Sequence, residues 1–484
     1  MGSEGEFYFT QEDRENHFHV LGSTGEGKSR FLQMMACQDI DRIRSKKENG
    51  PGLVFIDGSE EGDTIKKILG YCEKVGFKKV LLINPDSHLT HKKVTPLNPI
   101  HTNVSHINKG VFYLTDAFRA IWNVEEPGKQ AVIENYMPAI FKILATTGLT
   151  LTDLEYFMDY EQVARRQDIL DRATDSHAVH KVRYAYKNPT NYKNEVGSTM
   201  RRIEPVFKDD GLKKIFIHRK GVDFAKLIAE RWVILVDVSE MDIIPGRLLA
   251  SVVINEIVFG LKRLRNNGWK GYEYLYIDEA HRYATNQIAD ILSRKRKLGL
   301  RMILSHQHMG QMVDNPKVVS AIKSDAKIKI AFYVRDNDER KKVVSMMYGG
   351  KIDRDEVEYA LSQQHQQNAV VQLPKGDARI IRIHDTPTYE PSEEFISKIY
   401  SYPWYYTEQE LTKDQYERFG HKPKNTKSTR PSGTPHRETN NRDDVSPGLQ
   451  ARRASQEREV RGEPEVPKGD ESPEAPGGVW SSKF

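Results

Sequence analysis

Short apolar runs alternate with amphipathic stretches over the first hundred residues. Residues 17–21 (HFHVL), 52–57 (GLVFID) and 80–84 (VLLIN) read as strands, with helices expected over 30–42 and 61–75. Runs this apolar, without in-out alternation, suit strands buried on both faces, so the pattern predicts an α/β fold with a mostly parallel sheet. From about 104 to 231 the period turns helical, most clearly over 131–144 and 154–171. Strand signals return at 232–238 (WVILVDV), 274–278 (YLYID), 301–305 (RMILS) and 328–334 (IKIAFYV), with a long helix over 247–264. Residues 369–373 and 378–383 flank Pro-Lys-Gly-Asp, which predicts a closing β-hairpin. The expected organisation is therefore a sheet domain in two parts, 1–103 and 232–400, around an inserted all-α domain at 104–231.

Composition adds a polar C-terminal extension, 401–484. After about residue 419 there is no Phe, Tyr or Trp until Trp480, too little apolar surface to offset ordering entropy, so disorder is expected there. Residues 421–430 are locally basic, which leaves open a tethered arm that binds DNA or a partner. With 38% hydrophobic and 29% charged residues, the chain reads as soluble. No stretch reads as an apolar run of about 20 residues, and the acidic, polar start lacks a secretory signal, so a cytoplasmic location is expected. Cys37 and Cys72 have no CxxC spacing and read as ordinary thiols. The 73 basic residues are nearly matched by 68 acidic ones, for a net charge of +5. That balance argues against a DNA-coating protein but permits a motor that grips phosphates through local basic clusters.

The strongest chemical signal is GSTGEGKS, comprising Gly22, Ser23, Thr24, Gly25, Glu26, Gly27, Lys28 and Ser29. It fits G-x-x-x-x-G-K-[ST] and lies between an expected strand and an expected helix, as a P-loop does. The glycines let backbone N–H groups aim at phosphate oxygens beside a helix N-terminus. Lys28 would neutralise β- and γ-phosphate charge and Ser29 would offer its hydroxyl to Mg²⁺, so the expected cofactors are ATP and Mg²⁺. A P-loop needs an acidic partner on a neighbouring strand, and YLYIDE supplies Asp278 for the metal shell and Glu279 as general base toward the attacking water.

Asp278-Glu279-Ala280-His281 spells DEAH, but DEAH-box helicases carry a second lobe with an Arg-rich QxxGRxGR-type motif. Here the strand signals end soon after Ile383 with nothing of that kind. The segment LSRKRKLGLRMILSHQHMGQ (292–311), the P-loop, the acidic strand and the turn Pro96-Leu97-Asn98-Pro99 together resemble the HerA/FtsK superfamily of hexameric DNA pumps. The nearest likeness is to TraG/TraD-type coupling ATPases of type IV secretion, and it extends over most of 15–385. The resemblance implies a RecA-like P-loop fold. It also implies that Gln307 senses the γ-phosphate or water, and that Arg296 reaches a neighbouring subunit's nucleotide, with Arg294 as its rival. A solvated helix face or a phosphate-backbone contact would equally explain the cluster Arg294 to Lys297. A trans-acting arginine requires an oligomer, and the family implies a hexameric ring. Coupling proteins usually begin with membrane-spanning helices and HerA proteins with a small β-barrel; neither is expected before this P-loop, which fits either a soluble ATPase recruited to the inner face of the membrane by partners or a chain trimmed at its start, Met1-Gly2-Ser3.

Three functions follow as expectations. The first is an ATP-dependent, non-sequence-specific DNA translocase of conjugation or type IV secretion, working with secretion-system or relaxosome-like proteins. The second is a viral or plasmid genome-packaging or DNA-end-processing motor. The third, of another class, is a nucleotide-dependent scaffold that recruits cargo and hydrolyses slowly; the presence of Lys28, Asp278 and Glu279 weighs against it.

Overall fold

The computed structural model describes residues 7–45, 51–59, 63–100, 107–122, 127–283, 286–294, 296–312, 315–347, 353–363, 368–374, 378–384 and 387–419. The described residues belong to one compact unit. The expected disordered tail and its basic stretch, 421–430, lie outside the described residues.

The strands are β1 (Phe18–Leu21), β2 (Pro51–Asp57), β3 (Val80–Ile83), β4 (Lys93–Val94), β5 (Val233–Asp237), β6 (Tyr272–Ile277), β7 (Leu300–His306), β8 (Ile328–Ala331), β9 (Asn368–Gln372), β10 (Ala378–Arg382) and β11 (Tyr406–Thr407). Nine of them form one sheet in the order β10-β9-β8-β1-β7-β6-β2-β5-β3. From β8 to β3 every pair is parallel, and the β9–β10 hairpin closes the sheet antiparallel. Every residue of β1, β2 and β3 is buried, which requires both faces to be covered and explains the apolar runs Leu53–Ile56 of β2 and Val80–Ile83 of β3.

The order corrects one expectation. The acidic strand β6 is not the immediate neighbour of the P-loop strand β1, because β7 stands between them, with Phe18 opposite Ile303 and Tyr276 opposite the same Ile303. Strand order is set by packing across the sheet, about which the chain order of apolar runs says little. Ser305 on β7 thereby comes between the two chemical strands.

Between β4 and β5 every described element is helical, from Ile107–Trp122 to Phe224–Ala229. These helices share the sheet's apolar core; Tyr113 meets Phe259 edge-on with ring centroids 5.7 Å apart. The continuous helix expected over 154–171 is broken into Glu155–Met158 and Val163–Arg172, with Asp159 extended between them. The Arg166 guanidinium donates to the carbonyls of Tyr156, Asp159 and Tyr160 at 3.3, 2.8 and 2.7 Å. It takes over carbonyls that a continuing helix would have bonded internally.

Helix Ile243–Asn266 is long and apolar enough to cross a membrane by length and composition, unlike the sequence-based expectation that no stretch would be. Its residues from Leu248 to Leu261 are all buried inside the protein, so its apolar length serves the core. Beyond β10 the chain turns back along the sheet. Tyr405 places its hydroxyl on edge strand β3, accepting from Leu82 N at 2.8 Å and donating to Leu82 O at 3.1 Å, and this satisfies an edge that would otherwise be open to pairing. Helix Glu408–Phe419 is then tied to the helical region by the buried Arg418–Asp153 pair and by Arg219 Nε on Asp414 at 2.8 Å.

One buried acid has no electrostatic partner. Glu273, opposite Gly52 in the β2–β6 register, is fully buried, and neither carboxyl oxygen has a hydrogen-bond partner among the described residues. A Cβ at Gly52 would lie 2.0 Å from Glu273 Oε2, so the glycine makes the space this side chain fills. Burial alone holds the carboxyl protonated well above the usual carboxylate range. The unfolded chain ionises near the ordinary value, so folding stability declines as pH rises above it. Glu273→Gln is expected to match the parent near pH 4 and to be more stable at pH 8, by about 1–3 kcal/mol. Urea midpoints at the two pH values test this, and equal midpoints at pH 8 would refute it.

Candidate functional site

The loop between β1 and helix Lys28–Arg44 has the conformation its sequence anticipates. Gly25 and Gly27 take φ of +82° and +107°, in the left-handed region that glycine reaches without strain. The loop is anchored to β8's exit, with Ser23 N donating to Tyr333 O at 2.9 Å and Arg335 N to Ser23 Oγ at 3.2 Å. Lys28 is buried and donates to Ser23 O at 3.1 Å. Burial lowers its pKa, opposed by Glu279, Asp278 and Glu26.

A cleft of about 660 Å³ opens over this loop. It is lined by the loop from Thr24 to Ser29 and by Glu279, His281, Gln307 and Gln311, so it joins the ends of β1, β6 and β7. Asp278, just past β6, is fully buried and accepts from the Ser305 hydroxyl, with the Ser29 hydroxyl beside it. Burial pushes its carboxyl up, against those two hydroxyls and Lys28. Asp278 Oδ2 is buried with no hydrogen-bond partner among the described residues. A bare carboxylate oxygen beside a serine hydroxyl is the donor set a hard divalent cation takes, so Ser29 and Asp278 fit Mg²⁺.

Glu279 carries the site's one strained backbone angle, φ +50°, a region that costs a residue with a side chain about 1–3 kcal/mol. Its two carboxylate oxygens are held separately. Gln307 Nε2 donates to Oε1 at 3.3 Å, and His281 Nδ1 lies 3.2 Å from Oε2. Burial raises the carboxyl's pKa, but His281, Lys28 and Gln307 outweigh it and hold the group below its ordinary value. An ionised carboxylate with lone pairs to spare, beside a phosphate loop, can take a proton from water.

The structure thus brings Gly22 through Ser29, Asp278, Glu279 and Gln307 into one place. The side chains of Arg294 and Arg296 lie outside the described residues; only Arg296's backbone is described, opening the turn Arg296–Leu298 before β7. Three residues were given no role from sequence. His281 was visible only as the last letter of DEAH. Gln311, noted for its resemblance alone, accepts at Oε1 from the amides of Gln307 and His308 at 3.0 and 3.2 Å. Asp57 ends β2 and is fully buried, and burial, then Asp278, push its carboxyl up to about 7; nothing in a lone strand-end Asp announces that.

No family model matches the sequence, and no curated protein matches it. Solved structures do match in fold. The unbound monoclinic form of the bacterial conjugative coupling protein TrwBdeltaN70 is 14% identical with a TM-score of 0.52, and the plasmid coupling protein TrwB with the non-hydrolysable GTP analogue GDPNP is 14% identical with a TM-score of 0.54. TrwB in complex with ADP and Mg²⁺ is 15% identical with a TM-score of 0.51. Each match covers 79% of this chain and 88% of the other. The chain therefore has the RecA-like P-loop fold, with a mostly parallel sheet and a helical region between its two parts.

Proposed function

We propose that this protein is a Mg²⁺-dependent ATPase of the HerA/FtsK kind that moves DNA without reading its sequence, as a coupling-type motor of conjugation or type IV secretion. The observation that carries the hydrolytic part is the Glu279 carboxylate lining the cleft beside the phosphate loop, with Gln307 Nε2 bonded to Oε1 and His281 Nδ1 3.2 Å from Oε2. Lys28 and the loop amides bind the phosphates, and Ser29 and Asp278 hold the metal, which supplies charge neutralisation to the β- and γ-phosphates when bound. Glu279 takes the water's proton, and Gln307 reports on the γ-phosphate. The DNA part rests on the likeness of residues 292–311 to coupling ATPases and on the shared fold with TrwB, a conjugative coupling protein. Arg296 is the proposed trans-acting residue, which makes the working form a homo-oligomeric ring.

The test is steady-state ATP hydrolysis with and without DNA at two salt concentrations. DNA is expected to raise kcat, and the stimulation to weaken as salt rises because phosphate contacts release counterions. Robust hydrolysis indifferent to DNA at both salts would move the cargo from DNA to protein. No hydrolysis at all would leave the nucleotide-dependent scaffold as the better reading.

A further inference from the structure

We infer that His281 is a positioning residue for Glu279 and that Gln311 selects the ring tautomer in which it does so. This rests on the reading of Glu279 as the general base. Gln311 Oε1 accepts from two backbone amides, Gln307 N at 3.0 Å and His308 N at 3.2 Å, so the orientation of its side-chain amide is fixed by the turn after β7. Its Nε2 then faces His281 Nε2 at 3.4 Å. An amide nitrogen can only donate, so His281 Nε2 is the bare nitrogen of a neutral ring and Nδ1 carries the proton. Nδ1 is the nitrogen 3.2 Å from Glu279 Oε2; its approach is off the line of a hydrogen bond, so its N–H holds that oxygen by electrostatic attraction across the gap.

The four residues close a circuit. The turn amides orient Gln311, Gln311 sets the tautomer of His281, His281 holds Oε2, and Gln307 from the same turn holds Oε1 at 3.3 Å. One N–H on each oxygen fixes the carboxylate plane and leaves each oxygen a lone pair for the water's proton. A backbone at φ +50° does not by itself fix where this side chain points, so the orientation comes from the two donors. In the hydrolytic step the water O–H bond breaks and its proton passes to a Glu279 oxygen. The water oxygen bonds to the γ-phosphorus, and the bond from that phosphorus to the ADP oxygen breaks. His281 neither gains nor loses a proton, and its part is to position Glu279.

Three variants test the assignment. His281→Leu removes the donor and is expected to lower kcat by about ten- to a hundredfold, the range found when an outer partner of a reacting group is lost. Binding of a fluorescent ADP analogue with Mg²⁺ should stay within about twofold of the parent, because no phosphate contact changes. His281→Asn offers Nδ2–H close to the lost Nδ1–H and should recover most of the rate, which a purely space-filling role would not predict. Gln311→Leu should slow kcat by itself, yet the double variant with His281→Leu should be no slower than His281→Leu alone, since both act along one path. The inference is overturned if His281→Leu keeps the parental kcat, if His281→Asn is as slow as His281→Leu, or if rate and nucleotide affinity fall together. A parent chain with no turnover overturns the hydrolase reading and this inference with it. A parent that turns over while His281→Leu keeps pace overturns this inference alone.

Discussion

Glu279→Gln is expected to bind nucleotide like the parent and to lose hydrolysis by a factor of about 10² to 10³, within the range a positioned general base contributes. The substitution keeps shape and volume and can still accept from Gln307 at one atom. It removes the negative charge that Lys28, His281 and Gln307 stabilise in the cleft, and with it any group able to take the water's proton. The phosphate loop is untouched, since Gly25, Gly27 and the Lys28–Ser23 contact do not involve Glu279. The loss should therefore fall on kcat and not on nucleotide affinity. Single-turnover hydrolysis beside equilibrium binding of an ADP analogue separates the two. A variant retaining a tenth or more of the parental rate would shift the base to another carboxylate near the cleft, and Asp57 would be first in line, since its carboxyl is buried near Asp278.

The sequence displays some of these relations openly and conceals others, for physical reasons. The strands at 52–57 and 80–84 were legible because burial on both faces leaves nowhere for a polar residue. The P-loop was legible because its glycines answer a backbone requirement that few other residues meet, at Gly25 and Gly27 most directly. Strand order was not, because β7 reaches its place beside β1 through pairing at separations of hundreds of residues. The break at Asp159 was hidden because a distant part of the same segment, Arg166, supplies the donors that end the helix. Helix Ile243–Asn266 carries the opposite lesson: apolar length is the same signal for a membrane and for a large core, and only packing decides which. The site divides along the same line. Residues that touch phosphate or metal repeat a motif, whereas His281 and Gln311 act through another side chain and need only arrive at the right distance.

Asp39→Leu is expected to destabilise the fold by about 3–5 kcal/mol, the cost of leaving a buried charge unpaired. Arg14, at the end of the short helix Gln11–Arg14, is 1% exposed and pairs with Asp39 of the P-loop helix, itself fully buried. The same guanidinium lies over the Tyr274 ring, 4.1 Å from its centroid, and donates to the Tyr276 hydroxyl at 3.1 Å. Both tyrosines belong to β6, so one cation ties the helix that begins at Lys28 to the strand that ends before Asp278. Asp39→Leu would strip that cation of its counter-charge while leaving it enclosed, and no solvent route relieves it. Removing both partners should cost far less, because replacing a buried ion pair with apolar groups of similar volume is often close to neutral. The expected result is therefore a strongly non-additive cycle, with Asp39→Leu severe alone and milder when combined with Arg14→Met. Denaturant unfolding of the three variants and the parent measures it. Should Asp39→Leu by itself cost less than about 1 kcal/mol, within the range of an exposed pair, the link between the phosphate helix and the acidic strand would have to be carried by apolar packing alone.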